Sequence, residues 1–183
     1  MKNKFYITTP LYYVNASPHI GHSYTNIAAD TLARYRRKDL GDENVWFLTG
    51  TDEHGQKIQK AAEEAGLKPE EFCDKMVLQF KNLWSSLNVS YNDFIRTTEV
   101  RHVRAVQGVL DILYKKGDIY KEKYEGWYCT PCETFWLEIQ AIDHICPDCR
   151  SPLEKIVEEN YFFKLSKYQD WLIGYINNPD NIL

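Results

Sequence analysis

The spacing of apolar residues changes twice in the first fifty positions, which predicts a strand, a helix and a second strand. The segment Phe5–Thr9 is β-branched and aromatic, as strands prefer. Apolar and small residues then recur at helical spacing, and Gly41 can end that helix. The recurring residues are Ile20, Tyr24, Ile27, Ala28, Thr31 and Tyr35. The run Val45–Thr49 suits a buried parallel strand, so the chain is predicted to begin with a right-handed βαβ unit.

Further helices extend this layer. Helices are predicted over Lys57–Ala65, from Pro69 onward and over Val103–Lys116, with a short strand over Asp93–Thr98. The helix from Pro69 carries an apolar stripe that we interpret as core: Phe72, Met76, Phe80, Leu83, Trp84 and Leu87. The last helix is predicted to turn four apolar residues inward: Val106, Val109, Leu110 and Leu113.

After residue 117 the pattern becomes that of an antiparallel module. Ile119–Tyr128 alternates like a half-exposed strand, and Asn160–Leu165 is typical of a strand that returns from it. Ser166 is predicted to cap a final helix. The shift indicates an insertion into the α/β layer.

The stretch that follows the first strand contains two histidines at the entrance of a helix. Ser17 is a good N-cap and Pro18 suits the first helical position. His19 and His22 lie three residues apart, so they share a helix face beside free backbone N–H groups. This arrangement favours binding an anion such as a phosphate, and Gly21 leaves room for a flat ligand. The alternative is that both histidines are surface polar residues near a cap.

The second predicted strand is followed by the polar loop Gly50–Gly55. Ligands of open α/β sheets bind at the carboxyl ends of the strands, so this loop and Pro10–Ser17 are predicted to line one crevice. Asp52, Glu53 and His54 are therefore candidate site residues, although ordinary loop polarity would also explain them.

Four of the five cysteines form two CxxC pairs, Cys129 with Cys132 and Cys146 with Cys149. Two such pairs can supply four thiolates to one tetrahedral zinc ion, and a closed site of that kind is structural. His144 is a spare candidate ligand. The alternative is a disulfide or a redox-active pair. Redox activity is more typical of a single CxxC motif than of two such motifs together.

Composition narrows the class of protein further. The net charge of −4 gives no electrostatic case for nucleic acid binding, and the aromatic content of 14% favours a packed globule. The sequence shows neither a secretory signal nor an apolar run of membrane-spanning length, so a cytoplasmic protein with no membrane partner and no DNA partner is predicted.

Pro18-His19-Ile20-Gly21-His22 resembles the HIGH signature of class I aminoacyl-tRNA synthetases. The preceding Thr9–Asn15 narrows the resemblance to the methionyl-tRNA synthetase family, and Glu125–Trp136 looks like that family's zinc knuckle. The resemblance extends from Phe5 to Leu183. It implies the first half of a Rossmann-like parallel-sheet catalytic domain (1–117), an inserted zinc-knuckle or connective peptide module (118–166) and the start of a return segment (167–183).

The resemblance also implies an activity and its residues. The family joins methionine to ATP, releases pyrophosphate and transfers methionine to tRNA(Met). By resemblance, His19 and His22 donate hydrogen bonds to the phosphates of ATP, which carries Mg²⁺, and Gly21 lies against the adenine. Asp52 would hold the α-ammonium of methionine, with His54 at the same rim. One wall of the methionine pocket is assigned by resemblance to Pro10, Leu11 and Tyr13.

The sequence departs from the family in lacking a Lys-Met-Ser-Lys-Ser loop, a second α/β half and an anticodon-binding domain. We therefore expect the N-terminal part of a longer enzyme, with little or no aminoacylation activity of its own. Three alternatives stay open: another HIGH-type class I synthetase or nucleotidyltransferase, a non-catalytic zinc-ribbon RNA-binding protein, and a truncated product without an independent role.

Overall fold

The computed structural model describes residues 4–181, which form two compact units. The first unit extends to Arg104 and the second begins at Ala105. The first contains β1 (Phe5–Thr8), β2 (Tyr12–Tyr13), α1 (Ile20–Leu40), β3 (Val45–Asp52), α2 (Gln56–Glu64), α3 (Pro69–Ser86) and β4 (Asp93–Arg96). The helix α4 (Val100–Lys115) crosses the division. The second unit contains β5 (Ile119–Cys129), β6 (Thr134–Trp136), β7 (Glu154–Phe163) and α5 (Gln169–Asn177).

The first unit is built on a parallel sheet with β3 at its centre. Leu48 pairs with Thr8 of β1 on one side and with Asp93 of β4 on the other. Thr51 pairs with Tyr12 of β2 and with Arg96 of β4, so β1 and β2 flank the same side of β3. The predicted βαβ unit and the predicted α/β class are confirmed, and part of the expected loop Pro10–Ser17 forms the additional short strand β2.

Close approach of β4 requires a glycine in β3. A Cβ atom built on Gly50 would lie 2.0 Å from the carbonyl oxygen of Ile95, its partner across the ladder. Only a residue without a side chain fits there, which explains a glycine inside a central strand.

The core of the first unit lies against α3. Phe72, Cys73, Val77, Phe80 and Trp84 are buried along that helix, while Met76 and Leu83 are partly buried at its edge. The predicted stripe is therefore confirmed except at Leu87, which is 38% exposed. The unpaired cysteine of the sequence, Cys73, is a core residue.

The entrance and the packing face of α1 differ from the sequence-based expectation. The N-cap is His19 rather than Ser17, because the His19 side chain itself accepts the N–H of Gly21. The apolar face is exposed at Ile20, Tyr24, Ile27 and Tyr35. The buried residues are instead Asn26, Ala29, Asp30 and Ala33. Small residues there allow close packing, and Asp30 accepts hydrogen bonds from the backbone and hydroxyl of Ser90.

The second unit is a three-stranded antiparallel sheet with β5 in the middle. β5 pairs with β7 from Ile119 opposite Phe163 to Tyr128 opposite Glu154, and with β6 at its far end. The predicted antiparallel pattern is confirmed, and the returning strand begins earlier than expected. Ser166 does not cap the last helix, since α5 begins after a 3₁₀ turn and its N-cap is Tyr168.

The inward face predicted for α4 is wrong at three of its four residues, while Leu113 is half-buried. Val106, Val109 and Leu110 are 40%, 57% and 49% exposed, and no described residue of α4 is buried. The spacing of apolar residues correctly predicts the helix, but it does not show whether another element covers the apolar face.

Candidate active site

The carboxyl ends of β2 and β3 bring together two of the residues expected to contact the amino acid. Tyr13 ends β2 and pairs directly with Asp52, the last residue of β3. Tyr13 is 38% exposed and Asp52 is partly buried, so both side chains are accessible from solvent. Within residues 4–181, no side-chain hydrogen bond or ion pair engages the Asp52 carboxylate. An accessible, uncompensated carboxylate is chemically suited to a cationic ligand.

At the entrance of α1, the side chains of two histidines each accept a hydrogen bond from a backbone N–H group. The Nδ1 atom of His19 accepts the N–H of Gly21, and Nδ1 of His22 accepts the N–H of His19, both at 3.1 Å. An accepting nitrogen carries no proton, so each neutral ring has its proton on Nε2. The rings stack with centroids 3.9 Å apart. The pair therefore offers two Nε2–H donors at the positive end of a helix.

The environment of His22 disfavours its protonated form. Burial lowers the pKa of His22, and the neighbouring His19 lowers it further because two adjacent imidazolium charges repel each other. The ring of His22 packs edge-on against Tyr12, with centroids 4.8 Å apart, and at a tilt against Phe80, with centroids 5.2 Å apart. Tyr12 is fixed in turn by a hydrogen bond from Asn26 Nδ2 to its hydroxyl, at 2.8 Å. His22 thus contacts the residue next to Tyr13, which links the helix entrance to the ends of β2 and β3.

Gly21 is required by its neighbour His19. A Cβ atom at this position would lie 2.9 Å from Cε1 and 3.1 Å from Nδ1 of His19. A side chain would displace the ring and break the hydrogen bond that caps the helix.

The carboxylate next to Asp52 has a different environment. Glu53 is 5% exposed, and four hydrogen bonds reach its side chain. Arg96 donates two of them, from Nε to Oε1 at 2.7 Å and from Nη2 to Oε2 at 2.9 Å. Burial by itself would raise the pKa of Glu53, but the hydrogen bonds from Arg96, Thr51 and Thr98 outweigh it and hold that pKa below its ordinary value.

The other residues expected at the rim are exposed. Pro10 and Leu11 lie in the turn between β1 and β2, and Leu11 is 37% exposed. His54 follows Glu53, and its Nε2 lies 3.5 Å from the carbonyl oxygen of Thr97. Glu53 was predicted as a candidate site residue of the polar loop, but no local pattern points to its partner Arg96, which lies 43 positions away.

The cysteines of the second unit form one cluster. Cys129 Sγ is 3.4 Å from Cys149 Sγ, and Cys146 Sγ is 3.8 Å from Cys132 Sγ. All four sulfur atoms lie within 4.8 Å of one another. Sulfurs around a tetrahedral zinc with bonds of about 2.3 Å are separated by about 3.8 Å, so the donor set and its spacing fit zinc.

The expected spare ligand does not join this cluster. The ring of His144 stacks on Trp127 with centroids 3.9 Å apart. Around the cysteines the core is small, since Ala141 and Leu153 are the other buried apolar residues there. A bound metal would therefore supply much of the cohesion of this part of the unit.

Within residues 4–181, no helix combines the length and apolar character needed to cross a lipid bilayer.

A parallel sheet with paired histidines at a helix entrance beside its strand ends is the arrangement expected of a class I aminoacyl-tRNA synthetase. A family model described as "tRNA synthetases class I (M)" matches residues 5–157. The chain belongs to this family, the methionyl-tRNA synthetases, as the HIGH-type turn and the zinc knuckle predicted.

Individual relatives agree with this assignment. A methionine–tRNA ligase of Clostridium tetani is 61% identical over 179 residues, which cover 97% of this chain and 28% of the relative. One from Thermotoga maritima is 52% identical over 182 residues, covering 97% of this chain and 29% of the relative. The chain thus spans little more than a quarter of the length of these curated relatives.

Solved structures show the same fold. A Mycobacterium tuberculosis methionyl-tRNA synthetase in complex with methionyl-adenylate superposes with a TM-score of 0.86 at 39% identity, covering 98% of this chain and 36% of that protein. An Agrobacterium radiobacter K84 LeuRS, from a ternary complex with tRNA and LeuAMS, gives 0.75 at 25% identity, covering 94% and 22%.

Proposed function

We propose that this chain supplies the histidine turn and the amino-acid rim of a methionine–tRNA ligase, which forms methionyl-adenylate from methionine and ATP and then charges tRNA(Met). The observation that carries the proposal is the pair of Nε2–H donors held by reciprocal backbone bonds at the start of α1. The Mycobacterium tuberculosis relative in complex with methionyl-adenylate supports the choice of intermediate. Protein synthesis makes the cytoplasm the expected location.

The residues suit the chemistry of the first step. The methionine carboxylate attacks the α-phosphorus of ATP, and pyrophosphate leaves with the electron pair of the broken bond. Charge grows on the phosphoryl oxygens, where preorganised donors such as His19 and His22 stabilise it without transferring a proton. Both rings are held by backbone hydrogen bonds before the substrate arrives, so the reaction does not have to reorient them.

The rim provides for the amino acid. The Asp52 carboxylate, which no side chain within residues 4–181 engages, would bind the α-ammonium group. The ring of Tyr13, its partner across the ladder, would form a wall of the methionine pocket with Pro10 and Leu11. His54 lies at the same rim. Gly21, close to the N-cap residue His19, leaves space for the adenine.

Two metals belong to this proposal. Mg²⁺ accompanies ATP and neutralises its phosphates. Cys129, Cys132, Cys146 and Cys149 would hold one zinc ion, which in a closed four-thiolate site supplies a structural cross-link. The zinc ion would thereby order the residues around the cysteine pairs. The residues proposed to act in the reaction all belong to the first unit.

Methionine-dependent exchange of pyrophosphate into ATP by the complete gene product tests the proposal. His22→Asn withdraws the Nε2 donor, and we expect exchange to fall about 100-fold or more, as for loss of one oxyanion donor. His102→Asn, a histidine of α4 outside the proposed site, is the matched control and should keep wild-type exchange. Absence of exchange, or equal exchange with another amino acid, would contradict the proposal. The 183-residue chain alone is expected to show little or no turnover.

A further inference from the structure

Two neighbouring carboxylates at the end of β3 have opposite environments. Thr51 in β3 and Glu53 just after it are both buried, and Thr51 Oγ1 donates to Glu53 Oε1 at 2.6 Å. Successive side chains of a strand point to opposite faces, so Asp52 between them is directed to the other, more exposed face. The Glu53 carboxylate is therefore neutralised inside the protein, whereas no side chain among the described residues pairs with the Asp52 carboxylate.

The ladder of β3 ends at this point, so a separate set of contacts has to hold the chain. Thr51 is the last β3 residue paired with β4, and Asp52 pairs with β2 alone. Beyond the ladder, the backbone N–H of Glu53 donates to Thr97 Oγ1 at 2.9 Å, and Thr98 Oγ1 donates to Glu53 Oε2 at 2.7 Å. Asp52 is thus fixed from both sides, by Thr51 in the sheet and by the buried Glu53 after it.

Arg96 joins these contacts to the helical layer. It reaches Glu53 with two nitrogens and donates from Nη2 to Asp74 on α3, at 2.7 Å. The planar guanidinium forms a bidentate pair with Glu53, a geometry that fixes orientation as well as distance. The set contains two carboxylates and one guanidinium, so it adds no positive charge that would repel an ammonium group near Asp52.

We infer that Glu53 and Arg96 form a positioning pair that sets the place of Asp52 and thereby the affinity for the α-ammonium group of the amino acid. The inference rests on the proposed function. Glu53 itself does not contact the substrate, because its oxygens are buried and occupied. It acts through the backbone of Asp52, and its loss is expected to affect recognition of the amino group more than the phosphoryl step.

The test measures methionine-dependent pyrophosphate exchange of the complete gene product for Glu53→Gln. The variant keeps the size of the side chain but removes the charge that Arg96 pairs with. We expect the KM for methionine to rise about tenfold, with kcat and the KM for ATP within about twofold of wild type. Glu64→Gln, at an exposed position of α2, is the matched control and should change none of these values.

A substrate analogue separates positioning from general damage. 4-(Methylthio)butanoate lacks the amino group of methionine, so its inhibition constant should stay unchanged in Glu53→Gln while methionine binding weakens. In an Asp52→Asn background, Glu53→Gln should add less than about twofold, because both changes act on the same contact. Thr98→Val removes a single hydrogen bond to Glu53 and provides a milder version, with an expected two- to threefold rise in the KM for methionine.

Three results would overturn the inference: an unchanged KM for methionine in Glu53→Gln and Thr98→Val, an equal loss of affinity for methionine and its des-amino analogue, or full additivity with Asp52→Asn. Absence of methionine-dependent exchange in the wild-type protein would instead contradict the proposed function, so the two failures are distinguishable.

Discussion

At the scale of single residues, the histidine pair depends on hydrogen bonds that hold only for the neutral rings. Protonation of His22 would place a proton on Nδ1, where the N–H of His19 already points. The pKa of His22 is lowered for the related reasons of burial and proximity to His19. The fold thus favours the neutral form of His22, which is also the form that the proposed chemistry uses.

The stability of this chain is expected to fall as the pH drops below the ordinary pKa of histidine, about 6.5. In that range the unfolded chain binds a proton at His22 and the folded chain resists it, so acid favours unfolding. Denaturant midpoints measured between pH 7.5 and 5.5 check this. His22→Asn should show a shallower decrease, whereas His102→Asn should match the wild-type slope; identical slopes for all three proteins would contradict the explanation.

At the scale of elements, α3 supports the site from behind. Phe80 is fully buried, and its ring contacts Tyr12 at 5.9 Å as well as His22 at 5.2 Å. The same side chain therefore belongs to the core and to the wall behind the proposed phosphate donors. Helix packing and the orientation of His22 are coupled through it.

Phe80→Ala is expected to reduce the free energy of unfolding by about 3–5 kcal/mol, because it removes buried apolar surface and leaves a cavity. Leu78→Ala on the same helix is the control, since Leu78 is 61% exposed and should change stability by less than about 0.5 kcal/mol. Chemical denaturation of both variants provides the measurement. Comparable losses in the two proteins would mean that α3 does not pack as described.

The sequence predicts these elements better than the faces they bury. The segments of β1, β3 and α3 were predictable, because propensity and apolar spacing act within a few neighbouring residues. The covered face of α1 was not, since Asn26 and Asp30 are buried polar residues whose partners, Tyr12 and Ser90, come from other segments.

The same limit applies within the candidate site. Proximity of Asp52 to Tyr13 follows from the rule that ligands bind at strand ends, and the cysteine spacing indicates the metal cluster. The burial of Glu53 and its pairing with Arg96 depend on a contact across 43 positions, which no local pattern reports.

At the scale of the whole molecule, the two units differ in what holds them together. The first has an apolar core around Phe80 and Trp84. In the second, the cluster around Cys129 and Cys146 contains few other buried apolar residues. A small core of this kind typically needs a cross-link, and a metal bound by four thiolates would provide it.

Removal of bound zinc by a chelator is expected to disorder the cysteine cluster while the first unit stays folded. Trp127, which stacks on His144 beside the cluster, should show a change in fluorescence, and amide exchange should increase in β6 but not in α3. Cys132→Ser/Cys149→Ser should reproduce the effect without chelator. Cys73→Ala, outside the cluster, should retain one zinc per chain, and full retention of zinc by the double variant would contradict the four-thiolate site.

The alternation of Thr51, Asp52 and Glu53 has a consequence for how this loop tolerates change in length. Deleting or inserting one residue just before Asp52 would reverse which of the two acidic side chains is buried. Asp52 would turn inward, toward the guanidinium of Arg96, and Glu53 would turn toward solvent. Both acidic residues would still be present, but the exposed carboxylate would belong to glutamate. Its longer side chain would place the carboxylate at a different distance and angle. We therefore expect the segment Thr51–Glu53 to tolerate substitutions better than insertions or deletions that shift its register.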